Sequence, residues 1–115
     1  MPLPGGWTVS ALLAHLAWWD RIALKRWDDL IQADVAPGYI ADSINDEMLP
    51  QWRSVLPERA VQEALAAAEA VDARIASAPA DLAARVGREW PRMLDRGLHR
   101  NEHLDEIDRA NRSSG

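Results

Sequence analysis

Residues 5–30 read GGWTVSALLAHLAWWDRIALKRWDDL, and this stretch decides the fold. Its apolar positions Leu12, Leu16, Trp19, Ala23, Trp27 and Leu30 recur at steps of three and four. That is the period of one face of an amphipathic helix. Thr8 or Ser10 is placed to cap the first turn, since a hydroxyl there accepts from an otherwise orphaned backbone N–H. The pattern runs to about Ala33, and Pro37-Gly38 ends it. Ahead of it, Met1 to Gly6 is rich in Pro and Gly and reads as an N-terminal loop, residues 1–6.

The rest of the chain continues in helical periods. Residues 37–57 are less regular. Asn45 or Asp46 is the expected cap of a short helix through Met48, Leu49, Trp52 and Val55. Pro50 would fall in its first turn, where a missing N–H costs little. Pro57 opens the next helix at its first position, with Val61, Leu65, Ala68, Val71 and Ile75 as its stripe, and Pro79 closes it. Residues 80–89 have no clear period and contain one Gly, so they read as a connection. Pro91 opens a last helix to about Arg109, and residues 110–115 form a frayed tail. The expectation is one all-α domain over residues 1–115, an up-and-down helical bundle of three main helices plus one short one.

Composition bounds the function. Of the 115 residues, 48% are apolar and 27% charged, which fits a globular chain. Phe is absent and six Trp supply nearly all the aromatic volume. The net charge of −5 comes without a basic run, so the chain lacks the cationic face that nucleic acid requires. No apolar stretch approaches the length of a membrane span, and the N-terminus carries no signal-peptide pattern, so a cytoplasmic location is expected. There are no cysteines, so no thiol of this chain is available as nucleophile or metal ligand.

Three histidines carry the chemical signal. His99 and His103 are four apart, which on a helix separates them by about 40° and one turn of rise. Their rings then project from one stripe, which Glu106 shares. Imidazoles at this spacing converge on a divalent ion without bending the backbone. His15 lies on the apolar side of its own helix, three after Leu12 and four before Trp19. If the two helices pack together, His15 faces the pair. Three neutral imidazoles with one position left open make a catalytic type of metal site. The plainer alternatives are a solvated His99–His103 surface pair and a hydrogen-bonded core His15.

His99-Arg100-Asn101-Glu102-His103 also resembles the inverted zinc-peptidase signature H-x-x-E-H, in which the Glu activates a metal-bound water. Such peptidases take a third ligand from a glutamate far downstream, and only 12 residues follow His103 here. The part of this reading that transfers is Glu102 as a base beside a metal, the expected catalytic residue.

The run Gly6-Trp7-Thr8-Val9-Ser10-Ala11-Leu12-Leu13-Ala14-His15-Leu16 resembles the DinB-like (YfiT-like) bundle superfamily, whose second helix opens with G-W-[ST]-x-x-x-x-L-x-H-L. Trp18-Trp19-Asp20-Arg21 is similar to the continuation of that helix. Asp42-Ser43-Ile44-Asn45 resembles the x-x-I-N step of the colibactin-self-protection (ClbS/DfsB) branch. Leu98 to His103 resembles the final-helix H-x-x-x-H. The resemblance implies a four-helix bundle whose three-histidine metal site would here be His15, His99 and His103. Zinc or nickel suits three imidazoles best, with iron third. The family's first helix, some thirty residues long, has no counterpart before the Gly-Trp loop. The groove it would cover is apolar, so a homodimer is expected.

What the resemblance implies chemically is a metal-dependent enzyme acting on a small electrophilic substrate in stress or detoxification. The reaction would be S-transfer or isomerisation with an external low-molecular-weight thiol such as mycothiol or bacillithiol, or hydrolysis. Trp18, Trp19 and the Asn45–Trp52 segment would wall the substrate pocket. The alternative is a non-catalytic dimerising helical module.

Overall fold

In the computed structural model the described residues are 3–94, together with Arg96 and Asp105. They form a 3-10 turn, Pro4–Gly6, followed by α1 (Val9–Ala33), α2 (Ile44–Arg53), α3 (Pro57–Ser77), α4 (Ala80–Glu89) and α5 (Pro91–Leu94). Arg96 and Asp105 are also helical. No strand occurs among the described residues, so the chain is all-α as its periodicity requires. Residues 110–115 lie outside the described residues.

The turn at the N-terminus depends on its two glycines. Gly5 and Gly6 adopt φ of 75° and 82°, a region closed to most side chains, and the Leu3 N–H donates to the Trp7 carbonyl at 2.8 Å. Thr8 is the cap of α1, its Oγ1 accepting from the Ala11 N–H at 3.0 Å, while Ser10 lies inside the helix. At the other end Asp34 takes the left-handed conformation, and its N–H reaches the Leu30 carbonyl at 3.1 Å.

α1 is the central element and packs along α3 and against α2 and α5, while α4 packs on α5. The core has two parts. Around the C-terminal half of α1, Ala23, Trp27 and Leu30 meet Val71, Val86 and Met93. Around its N-terminal half, Ala11 and Ala14 meet Trp52, with Trp7, Trp18, Met48, Leu49 and Val55 packed against them.

Three local expectations are corrected. Residues 80–89 are a helix, α4, and not a connection. Its inward face is Leu82, Ala83 and Val86 with Trp90, and Gly87 sits where an added Cβ would lie 3.1 Å from Leu94 Cδ2. The glycine that read as a break marks a close approach between neighbouring helices. α2 begins at Ile44 after Ser43, not at Asn45 or Asp46, so Pro50 is inside the helix and not in its first turn. The α3 stripe is also rotated. Ala60, Ala67 and Val71 are buried, whereas Val61 and Leu65 are exposed. Ala60 and Ala67 let the first part of α3 lie close against α1, Val71 enters the core further on, and Val61 and Leu65 are turned outward. Among the described residues the helices are thus two long ones (α1, α3) and two of ten residues (α2, α4), with a further helix opening at Pro91.

Candidate metal centre

His15 is 3% exposed on the inward side of α1. The Gly5–Gly6 turn lays Trp7 against it, with ring centroids 5.3 Å apart and an interplanar angle of 76°. α2 supplies Trp52 beside Trp7, at 5.2 Å and 69° from the imidazole. Both are edge-to-face contacts, the favoured arrangement of aromatic rings. Trp7 and Trp52 touch each other at 5.8 Å, and Trp18 reaches Trp52 at 6.0 Å. The imidazole therefore sits in a wall of indoles drawn from three segments of the chain.

The residues expected to wall a substrate are together. Trp18 and Trp19 meet edge to face at 4.9 Å. Trp19 Nε1 donates to Asn45 Oδ1 at 2.9 Å, which ties the middle of α1 to the first turn of α2.

One turn further along α1 lies a feature that the sequence reading did not single out. Asp20 is 1% exposed, and its Oδ1 accepts from Arg96 Nε at 2.9 Å. Arg96 is itself 7% exposed, and its Nη1 also donates to the Arg92 carbonyl at 3.4 Å. The signal was available: Asp20 is four after Leu16 and three before Ala23, so it falls on the apolar stripe, where a charge requires a buried partner. Burial, and then the neighbouring Arg96 guanidinium, hold Arg26 below the usual arginine range. Arg26 Nη2 donates to the Gly38 carbonyl at 2.8 Å.

A second long-range link joins α1 to the segment that carries Arg96. Trp27 Nε1 donates to the Met93 carbonyl at 2.8 Å, fully buried. Along α1 the partners thus run from Trp27 back to Asp20 as the later segment runs from Met93 on to Arg96. The two segments are antiparallel.

Of the residues expected to form the centre, His15 is buried where the sequence puts it. His99, Glu102 and His103, with Glu106, lie outside the described residues. Among the described residues no group of three His, Cys, Asp or Glu side chains is arranged to hold a metal ion. No helix among them is long and apolar enough to cross a membrane.

The family model of the DinB superfamily matches residues 1–106. No curated protein and no solved structure matches the chain.

Proposed function

The chain belongs to the DinB superfamily, and from that premise we propose that it binds one divalent metal through His15, His99 and His103 and acts on a small electrophile. One observation carries the reading, the antiparallel register fixed by Arg96 on Asp20. If helical rise continued beyond Arg96, position 99 would fall level with Ala17 on α1 and position 103 with Leu13. His15 falls midway between these levels, on the inward side of α1.

Three imidazoles with one open position suit zinc or nickel, with iron third. A metal bound there would act as a Lewis acid, favouring the nucleophilic form of water or of an incoming thiol near neutral pH. The chain has no cysteine, so a thiol nucleophile comes from outside, of the mycothiol or bacillithiol type. Glu102, one residue before His103, takes or returns the proton. Trp18 and Trp19 offer apolar faces to the substrate, and Asn45 is held against Trp19 at one edge.

The test is elemental analysis of protein never exposed to a chelator or an immobilised-metal column, beside His15→Ala and His99→Ala. About one equivalent of a transition metal per chain is expected, lost in both variants. No metal in the parent protein after dialysis against zinc or nickel sinks the reading. A second reading, a non-catalytic module that pairs with another copy of itself, is favoured by the exposed Leu56, Val61 and Leu65 on and beside α3. Turnover of small electrophiles with a low-molecular-weight thiol, abolished by His99→Ala, separates the two.

A further inference from the structure

The Asp20–Arg96 pair stands out because it is an expensive way to join two helices. Its side chains are only 2% and 8% exposed. Two charges taken out of water lose hydration that their mutual attraction barely restores, and well-packed apolar residues of similar volume often hold a fold as well or better. What apolar residues do not supply is a single permitted alignment. One helical turn is about 5.4 Å. A slip of that size towards the start of α1 moves the Arg96 guanidinium to Leu16, which is 5% exposed and offers no side-chain acceptor. A slip the other way moves it to Ala23, which is 3% exposed, and nearer the Arg26 cation whose charge Arg96 already opposes. Both slips break the Arg96–Asp20 contact, and neither Leu16 nor Ala23 has a side-chain acceptor to replace it.

We infer that the buried Asp20–Arg96 pair is the register key of the fold, fixing the axial position along α1 of the segment that carries Arg96. Asp20 and Arg96 are positioning residues and touch no substrate. The purpose of the register rests on the metal-centre reading, but the register itself does not.

The absence of native cysteine makes the register directly measurable. Cysteines introduced at Lys25 and Asp105, both exposed, carry paired spin labels that report the axial offset. The parent distance distribution is expected to be single and narrow. In the double exchange Asp20→Leu with Arg96→Met, packing volume is kept and the key is removed. The distribution should broaden or split by about 5 Å, the rise of one turn, without a lower thermal midpoint. Zinc affinity, read by competition with a chromophoric chelator, should fall about tenfold or more, as when groups that orient ligands are lost. Arg96→Lys keeps the charge and should retain the parent distribution. A double variant with the parent distances and the parent zinc affinity overturns the inference. Should the double exchange unfold the chain, Asp20→Asn is read in the same way with the same two outcomes. If the parent protein binds no zinc, the metal reading fails while the distances still decide the register.

Discussion

At the scale of single residues, the described core contains few polar side chains, and each has a distinct energetic character. Asp20 is bound to a cation that is itself buried, so removing it leaves Arg96 charged in an apolar setting. Asp20→Ala should therefore cost roughly 3–5 kcal/mol, as measured when one partner of a buried pair is deleted. Urea unfolding checks this, and an unchanged slope with a lower midpoint would mark a true loss of stability. Trp27 is the converse case, a fully buried ring with one polar atom. Trp27→Phe keeps aromatic bulk but removes the donor to the Met93 carbonyl. It should cost roughly 1–3 kcal/mol from the stranded acceptor alone, and more from the space left by the smaller ring. The same change at half-buried Trp18 should fall well below that.

At the scale of the element, α2 holds its own exception. Pro50 is inside a ten-residue helix and exposed, so it removes one helical hydrogen bond without adding buried surface. Pro50→Ala should strengthen α2 by roughly 1–2 kcal/mol, the helical gain being partly offset by greater freedom in the unfolded chain. A rise in thermal midpoint with increased helical circular dichroism is the expected result. Thr8→Ala acts in the opposite sense, removing the cap of α1 at a cost of about 1 kcal/mol. These elements differ in how far the sequence disclosed them. α1 was legible because its burial is one-sided and its period long. α4 was not, because its inward face has only three apolar residues and its glycine is a packing contact with Leu94. The α3 face misled because two of its large apolar residues, Val61 and Leu65, are exposed, while Ala60 and Ala67 are buried beside Val71. His15 was legible as a polar residue on an apolar stripe. The Asp20–Arg96 pair carried the same kind of signal, but its partner is 76 positions away and periodicity within one helix cannot name it.

At the scale of the whole molecule, shape and surface belong together. α1 alone, with 25 residues, is about 38 Å long, and the chain extends 47 Å along its longest axis. Its radius of gyration, 15.2 Å, exceeds the roughly 13 Å of a compact domain of this length. An elongated bundle has much surface for its volume, and some of it is apolar. Leu56, Val61 and Leu65 are 70%, 46% and 61% exposed and lie at or within the first half of α3. Exposed large apolar residues on a small protein are often covered by a partner, and a second copy is the occupant expected here. The parent protein should then sediment at twice 12.8 kDa, with a thermal midpoint that rises with concentration, because folding and association are linked. Leu65→Lys places a charge among these exposed apolar residues and should give a monomer of undiminished helix content. Parent protein at the single-chain mass over micromolar concentrations would dispose of the dimer. The metal content of Leu65→Lys adds a second comparison. Leu65 belongs to the outward side of α3 and His15 to the inward side of α1. A monomer that keeps one equivalent of metal would make the two properties independent, whereas loss of metal with loss of the partner would make association part of how the centre is held.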